Sequence, residues 1–486
     1  MEPHKIVNNK ELNIWEALIP IFALVIMLAF NVSVFGDDAI SGSNQFILLL
    51  GAAVAAGVGH FNKVKLDQML AFVGDNLKSV STAIIILLFV GALVASWLIS
   101  GIIPAMIFYG IKLINPVVFL PTAVVIAAIV SVATGSSWTT SATIGIALVA
   151  IGKAMGLPAG MIAGAVVSGA YFGDKMSPMS DTTNLAAAMA GTTLFRHIRY
   201  MAITTIPSIS ITLIVFTILS LTYDTQPVAG TEDILASISN SFVISPWLFL
   251  VPIVVILMIV KKTNPIVALF AGTILGAIVA LFFQPNVMLE LQGNDNVTLM
   301  SQYKVLMQAI TEGASVSTTN ASLNDLFSSG GMSGMLGTIW LILCAMIFGG
   351  VMEAIGALSR ISKTLLDFAH TTFGLFASTV ASCLALNLTA SDQYLAIVVP
   401  GKMFEKAYKA KGLAPENLSR TLEDSGTVTS ALVPWNTCGA YQSGVLGVSV
   451  ADYFIYAIFN YLSPFMTLLF AAFRIKIREL KDVQID

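Results

Sequence analysis

The residues best suited to chemistry in this 486-residue chain are charged and hydroxyl side chains that interrupt a hydrophobic segment. Residues 173–184 read Gly-Asp-Lys-Met-Ser-Pro-Met-Ser-Asp-Thr-Thr-Asn, between the apolar runs 161–172 and 185–190. In lipid, charges and unpaired backbone groups are costly, so such a break survives only where protein buries it or water reaches it. An unwound helix offers carbonyl, hydroxyl and carboxylate oxygens, the hard ligands of small cations. The alternative is an ordinary loop between two short helices.

The composition places this break inside a membrane protein. The chain is 56% hydrophobic and 10% charged, with a mean hydropathy of +0.86, whereas about a quarter of a soluble protein is charged. The net charge of -3 gives no indication of a nucleic-acid partner, and no nucleotide-binding Gly-x-x-x-x-Gly-Lys-Ser/Thr loop occurs. We therefore expect an all-α polytopic protein in the lipid bilayer, without a cofactor and without a nucleic-acid partner. The sequence leaves open whether it forms a homodimer.

The distribution of Lys and Arg predicts the topology. With the N-terminus in the cytoplasm, all of these residues except Lys112, Lys153, Lys175 and Lys304 fall in cytoplasmic segments. This predicts cytoplasmic termini at 1–14 and 474–486, membrane repeats at 15–222 and 246–473, an extracytoplasmic linker at 223–245 and an extracytoplasmic loop at 284–333.

The two halves repeat weakly. An offset of 256 residues places Pro178 on Pro434 and Ser180 on Asn436, and an offset of 255 aligns residues 134–137 with 389–392. Because corresponding loops carry opposite charge bias, we predict two inverted-topology repeats, the architecture of many secondary transporters. The alternative is a gene duplication without functional consequence.

Each half is interrupted twice, and the interruptions match in pairs. They lie at 134–138 and 177–184 in the first half and at 387–392 and 433–439 in the second. We expect these broken transmembrane helices to meet near the membrane midplane and to bind the transported cation. The predicted ligands are carboxylate, hydroxyl and amide side chains: Ser136, Ser137, Asp181, Thr182, Asn184, Thr389, Asp392, Asn436 and Thr437.

Six acids in apolar segments are candidates for coupling protons to the cation: Asp174, Asp181, Glu353, Asp392, Glu423 and Asp424. A carboxylate that holds either a proton or a cation, but not both, is a minimal exchanger. Two alternatives assign structural roles. Asp174 and Lys175 would form a local ion pair, or Glu423 and Asp424 would complement the N-terminal dipole of a predicted helix at 427–450.

The 14 residues 173–186 resemble the signature of NhaC-type sodium/proton antiporters, and the length and the two-half organisation fit as well. The resemblance implies an inverted-repeat fold that binds sodium at the helix breaks, and it implies electrochemically coupled exchange. It leaves the substrate open, because relatives exchange malate against lactate with sodium and protons.

We therefore predict a secondary antiporter, not an enzyme, that exchanges sodium for protons by alternating access in the bacterial cytoplasmic membrane. Sodium is expected as a transported substrate. A sodium-coupled organic-anion or amino-acid exchanger of the same fold is the alternative. The sequence favours a cation-only cycle, because Arg196, Arg199, Arg360 and Arg420 all fall at predicted cytoplasmic edges.

Overall fold

The structure is a computed structural model that describes residues 11–35, 42–223, 231–293, 298–318, 324 and 327–480. Regular structure in this part is almost entirely helical, apart from a two-stranded antiparallel sheet of Ala314–Ser315 and Ser328–Ser329. The predicted segments 1–14, 223–245 and 474–486 lie partly outside the described residues.

Eight helical segments in the described part are long and apolar enough to cross a membrane. They are Ile14–Phe35, Ser43–Phe61, Ser81–Ile99, Pro116–Thr134, Leu194–Thr222, Pro265–Phe283, Ser333–Ala354 and Thr372–Thr389. A further span is formed if 232–241 and 246–260, bent by 82°, are taken together. The prediction of an all-α polytopic membrane protein is confirmed. The inversion of the halves stays a prediction, because it depends on the side of the membrane that each loop faces.

The first half begins with long apolar helices, continues with shorter helices around the polar breaks and ends with a long helix. Its helices are α1 Ile14–Phe35, α2 Ser43–Phe61, α3 Leu66–Ser79, α4 Ser81–Ile99, α5 Ile102–Leu113, α6 Phe119–Thr134, α7 Ser137–Thr140, α8 Ile146–Ala154, α9 Ala159–Met176, α10 Asp181–Ala190 and α11 Leu194–Thr222. The apolar run 82–109 makes two helices instead of one, because Gly101 has a φ of 78° and turns the chain there.

The second half also combines long helices with short ones. They are α12 Thr231–Ser241, α13 Leu250–Val260, α14 Pro265–Phe283, α15 Pro285–Gln292, α16 Leu299–Glu312, α17 Leu336–Ala354, α18 Ala357–Asp367, α19 Thr372–Thr389, α20 Gln393–Ala410, α21 Pro415–Leu422, α22 Thr437–Leu446, α23 Val450–Phe454 and α24 Ile458–Ala472. Helices α4 and α17 both have 19 residues, and α10 and α22 both have 10. The segment 284–333 is not a plain loop, since it contains α15, α16 and the small sheet.

The predicted helix at 427–450 is wrong. After α21 the chain stays helical through a π-helical stretch, Glu423–Thr427, and a 3₁₀ stretch, Val428–Leu432. It then breaks at 433–436, where Pro434 cannot supply a backbone donor. Glu423 and Asp424 therefore lie inside a helical segment, and the idea that they complement a helix N-terminus is excluded.

Glycines let α6 and α9 pack closely, and this contact fixes the end of α9. A Cβ atom at Gly169 would lie 2.2 Å from the carbonyl oxygen of Val124, and one at Gly173 would lie 2.4 Å from the Cβ of Ser131. The Ser131 hydroxyl donates to the carbonyl of Ala170 at 2.6 Å. The last turn of α9, which carries Asp174 and Lys175, is thereby held inside the protein.

Candidate functional site

The two breaks of the first half pack against each other. Gly135 ends α6 with a φ of 72°, and a Cβ atom there would lie 2.7 Å from the Cβ of Met179 in the other break. Ser136 caps α7 by accepting a hydrogen bond from the backbone N–H of Thr139 at 3.2 Å. The backbone at residue 135 lies so close to Met179 that only glycine fits there. This close packing places Ser137 beside the end of α9.

The two breaks of the second half are joined by hydrogen bonds. The backbone N–H of Thr437 donates to the carbonyl of Ser391 at 2.9 Å. The Asn436 amide donates to the carbonyl of Asn387 at 3.1 Å and accepts from the backbone N–H of Cys438 at 3.0 Å. These bonds satisfy the freed polar groups of buried backbone, which an interrupted helix would otherwise leave unpaired.

Contacts between the halves join the two breaks of the first half to helices α20 and α22 of the second half. The rings of Trp138 and Tyr441 are stacked with centroids 4.1 Å apart, and the Tyr441 hydroxyl donates to the carbonyl of Trp138 at 3.2 Å. The Tyr394 hydroxyl donates to the carboxylate of Asp181. The breaks of the first half therefore contact helices that adjoin the breaks of the second half, and the meeting of all four breaks near the membrane midplane stays a prediction.

Asp174 lies in the last turn of α9, where its side chain contacts the break at 134–138. Its side chain is buried, and Oδ2 accepts hydrogen bonds from the backbone N–H of Ser137 at 3.1 Å and from the Ser137 hydroxyl at 2.6 Å. Its Oδ1 has no hydrogen bond of normal geometry in the described part of the chain, although Ser180 lies nearby. One oxygen of a buried carboxylate is therefore available to a further ligand.

Lys175 does not pair with its neighbour Asp174. Its ammonium group forms an ion pair with Asp424, and both side chains are fully buried. The other oxygen of Asp424 accepts hydrogen bonds from the Thr204 hydroxyl, at 2.9 Å, and from the Thr467 hydroxyl. Asp424 is thus compensated in charge and in hydrogen bonding.

Glu423 is the acid of the site whose negative charge is balanced by the fewest hydrogen bonds. It is fully buried, and neither carboxylate oxygen accepts a hydrogen bond of normal geometry from the described residues, although the Thr427 hydroxyl lies nearby. It is close enough to Asp174 and Lys175 to interact with both electrostatically. It also begins the π-helical stretch, a feature often found at functional sites.

The predicted ligands Asp181 and Asp392 lie elsewhere in the cluster. Asp181 is exposed, and its Oδ1 accepts from the backbone N–H of Thr182 at 2.9 Å. Asp392 is buried and caps α20 by accepting from the backbone N–H of Leu395 at 3.0 Å. Asp181 interacts electrostatically with Asp174. Their assignment as cation ligands stays a prediction.

The other predicted ligands mostly hold the breaks in shape. The hydroxyls of Thr182 and Ser180 are 3.0 Å apart, and the exposed Asn184 amide donates to the carbonyl of Ser180 at 2.7 Å. The Thr389 hydroxyl donates to its own helix. The Thr437 hydroxyl lies 3.4 Å from the side-chain oxygen of Asn436. The described residues contain no group of three His, Cys, Asp or Glu that could hold a metal, so a cation here would also need hydroxyl or carbonyl oxygens.

Glu353 is a separate case among the proton-coupling candidates. It lies on α17, where its carboxylate is 3.3 Å from the side-chain nitrogen of Asn76 on α3 once that amide is turned to face it. One turn earlier, a Cβ atom at Gly349 would lie 2.3 Å from the carbonyl oxygen of Ala390. Glu353 therefore lies next to Asn76, on a helix that packs closely against the break at 387–392.

Arg420 was expected at a cytoplasmic edge, and its position relative to the membrane stays a prediction. Its side chain is fully buried in α21, and its guanidinium carbon lies 4.6 Å from the centroid of the Tyr200 ring. None of its side-chain nitrogens has a hydrogen-bond partner among the described residues. An arginine is therefore buried in the protein, and the argument for a cation-only cycle now depends on the depth of Arg420 in the membrane.

Comparisons with known proteins agree with this architecture. Residues 169–475 match the model of the Na+/H+ antiporter family. The chain is 37% identical over 423 residues to the Na(+)/H(+) antiporter NhaC of Alkalihalophilus pseudofirmus, covering 87% of this chain and 88% of that one. It is 36% identical over 397 residues to NhaC of Bacillus subtilis, covering 81% and 84%.

A third relative is named for a different substrate. The malate-2H(+)/Na(+)-lactate antiporter of Bacillus subtilis is 36% identical over 392 residues, covering 80% of this chain and 79% of that one. The family match covers more than half of the sequence, and the NhaC relatives span most of it. The resemblance of residues 173–186 is confirmed, and the chain belongs to the Na+/H+ antiporter family, as a protein of the NhaC type.

Proposed function

We propose that this protein is a secondary antiporter that exchanges sodium for protons, and that the two ions compete for the carboxylates of Asp174 and Glu423. The observation that carries the site assignment is the presence of two buried acids with unused oxygens beside an ion pair that is already neutral. The activity itself is supported by the NhaC relatives.

The electrostatics of the site require a neutralising ion. The charges of Lys175 and Asp424 cancel, so Asp174 and Glu423 together would bring two uncompensated negative charges into the protein interior. Removing a carboxylate from water costs several kcal/mol even after relaxation. Either a proton or a cation offsets this cost, and an oxygen occupied by one is not available to the other.

The position of Asp181 supports a route to this site. Asp181 is exposed and interacts electrostatically with Asp174, which is close to Glu423 in turn. Ions would pass from Asp181 to the buried pair. Alternating access would then expose the protonated or the sodium-loaded site to the other side of the membrane. A site with neither ion would not make this change, because its uncompensated negative charge is costly inside the membrane.

The test is sodium-driven proton movement in liposomes that contain no organic solute. The wild-type protein should move protons when sodium is added. Asp174→Asn and Glu423→Gln keep the shape of the side chains but cannot exchange a proton for a cation, so both should lose exchange. Asp367→Asn, which changes an exposed acid on α18, is the matched control and should stay active. Normal exchange by both site variants would refute the assignment.

A second candidate function is exchange of an organic anion coupled to sodium and protons. The observation that favours it is the buried guanidinium of Arg420, since guanidinium groups bind carboxylates in a bidentate manner. The malate/lactate relative agrees with it. Exchange that strictly requires malate or lactate, and that Arg420→Gln abolishes, would replace the sodium/proton proposal with this one.

We also propose that the protein lies in the bacterial cytoplasmic membrane with both termini in the cytoplasm. The distribution of Lys and Arg supports this orientation. On a cysteine-free background, Met300→Cys in α16 should react with an impermeant reagent in intact cells, and Lys406→Cys in α20 should not. Both positions are exposed in the structure. The opposite labelling pattern would overturn the topology and the inversion of the repeats.

A further inference from the structure

A basic pocket lies between the first turns of α11 and the segment that follows α24. It has a volume of about 490 Å³, and its walls carry four cationic side chains, those of Arg196, Arg199, Lys476 and Arg478. Tyr200 forms part of the floor. This pocket is separate from the polar breaks and has no part in the proposed exchange.

Hydrogen bonds hold the walls of the pocket in place. The Tyr200 hydroxyl, which has one proton to donate, lies 2.6 Å from the side-chain oxygen of Asn417 and 2.8 Å from the carbonyl oxygen of Lys476. The amide of Asn417 donates to the carbonyl of Arg478 at 2.8 Å. The segment 476–478, which carries two of the four cations, is therefore hydrogen-bonded to α11 and α21. These bonds hold that wall of the pocket in position.

The positive charge of the pocket is largely uncompensated. Arg478 lies 3.8 Å from the buried Glu416, whereas Arg196, Arg199 and Lys476 make no ion pair with an acid in the described ranges. Arg420 adds a further positive charge, because its guanidinium stacks on the ring of Tyr200. An anion in the pocket would relieve this repulsion.

The start of α11 strengthens the case for an anion. Helix N-termini carry partial positive charge and favour acidic residues, yet the first turn of α11 contains no acid, and the side chain of Thr193 does not cap it. Arg196 and Arg199 instead add positive charge to the positive end of a 29-residue helix. The partial positive charge of this helix end therefore adds to the charge of the two arginines and favours an anion nearby.

The surroundings of the pocket identify the source of the anion. Helix α11 is a membrane-spanning segment, so its first turn lies near a membrane surface. Two large apolar side chains close in sequence to the lining residues are exposed on the protein: Phe195, which precedes Arg196, at 72%, and Phe473, three residues before Lys476, at 70%. Free phosphate would leave these side chains unused, whereas the acyl chains of a lipid would cover them.

We propose that this pocket binds the phosphate group of an anionic phospholipid, with the acyl chains along Phe195 and Phe473. Basic pockets at the ends of transmembrane helices bind anionic headgroups in this manner. The pocket lies on the side predicted to be cytoplasmic, where such lipids supply the negative surface charge.

The test uses the full-length protein, freed of lipid in a neutral detergent and titrated with phosphatidylglycerol or phosphatidylcholine in native mass spectrometry. The double variant R196Q/R199Q removes two cations of the pocket. Each cation near a membrane surface contributes about 5-fold in affinity, so phosphatidylglycerol should bind roughly 30-fold more weakly to this variant. Phosphatidylcholine should bind weakly to both proteins.

Two controls separate the pocket from general effects. K261Q/K262Q removes a pair of exposed lysines at another helix end and should leave phosphatidylglycerol binding unchanged. R196K/R199K keeps the charge and should retain most of the affinity. If R196Q/R199Q does not give folded protein, Lys476→Gln replaces it, with an expected loss of about 5-fold.

Three results would overturn the proposal. Equal losses in R196Q/R199Q and K261Q/K262Q would mean that surface charge alone attracts the lipid. Unchanged binding in R196Q/R199Q would exclude the pocket. Inorganic phosphate that binds as tightly as phosphatidylglycerol and displaces it would identify a site for free phosphate instead of a lipid.

Discussion

Replacing Asp424 by asparagine should destabilise this protein strongly, because it leaves the buried ammonium group of Lys175 without its counter-charge. Both side chains are fully buried, and no other ion pair involves Lys175 among the described residues. Removing one partner of a buried ion pair costs about 3–5 kcal/mol. The amide still fits the space and still accepts from the hydroxyls of Thr204 and Thr467, so the cost comes from the charge and not from a cavity.

The double variant K175M/D424N tests this reasoning. It removes both charges, so no unpaired ion remains in the interior, and apolar or neutral replacements of a buried pair are often nearly neutral in stability. The unfolding free energies should therefore be non-additive, with a coupling energy of about 2 kcal/mol or more between the two positions. Residues that merely pack side by side would give a smaller coupling.

Melting temperatures in detergent supply the measurement. With an unfolding entropy of about 2.1 cal/mol/K per residue, a chain of 486 residues loses roughly 1 °C for each kcal/mol. Asp424→Asn should therefore melt about 3–5 °C below the wild type. The surface control Asp367→Asn should melt within about 1 °C of it. An Asp424→Asn protein with the melting temperature of the wild type, or a double variant that loses the full sum of the single effects, would refute the role of the ion pair.

Ser137→Ala removes the hydroxyl that donates to Asp174 but keeps the backbone donor. The sodium affinity measured by calorimetry should therefore fall by roughly 10- to 100-fold. An unchanged affinity would exclude Asp174 as a ligand. Gly173→Ala places a Cβ atom 2.4 Å from a side chain of α6 and should cost about 1–3 kcal/mol in a thermal melt, whereas Gly57→Ala, with nothing within 4 Å, should not destabilise the protein. Tyr394→Phe removes the hydroxyl that contacts the exposed carboxylate of Asp181 on α10. It should slow exchange in liposomes and change the free energy of unfolding by less than about 1 kcal/mol. Normal exchange would exclude this contact from the ion route.

The breaks could be predicted because they interrupt apolar runs with residues that a helix tolerates poorly. Residues 177–180 separate α9 from α10 where hydroxyls and Pro178 follow an apolar stretch, and 433–436 separate the matching helices of the second half. Local chemistry determines such features. It also determines the capping roles of Ser136 and Asn436, whose short polar side chains occur at helix starts.

The partners across the site could not be predicted in the same way. Lys175 and Asp424 are 249 positions apart, and from the sequence several acids are equally plausible ion-pair partners of that lysine. Their pairing depends on how α9 packs against the π-helical stretch, which periodicity does not reveal. The one available signal was the isolated lysine in an apolar segment, since such a charge needs a partner.

Arg420 shows that a topology argument does not determine whether a single residue is buried in the protein. The excess of Lys and Arg assigns whole segments to one side of the membrane, and the five basic residues of 402–420 are among those assigned to the cytoplasm. In the structure this segment forms the end of α20, a turn and most of α21. Leu418 and Leu422 are buried with Arg420, because almost every position of this short helix faces other protein elements.

The most direct test of the central claim is the apparent sodium constant as a function of pH, measured in proteoliposomes with a proton-sensitive dye. If one proton competes with sodium at the buried carboxylates, the apparent affinity should fall roughly tenfold for each pH unit on the acidic side of the titration, within about pH 5.5 to 9, and should level off on the alkaline side. Asp174→Asn and Glu423→Gln should reduce or abolish this dependence, and Asp367→Asn should preserve it. An affinity that stays constant across the whole range in the wild-type protein would contradict competition at Asp174 and Glu423.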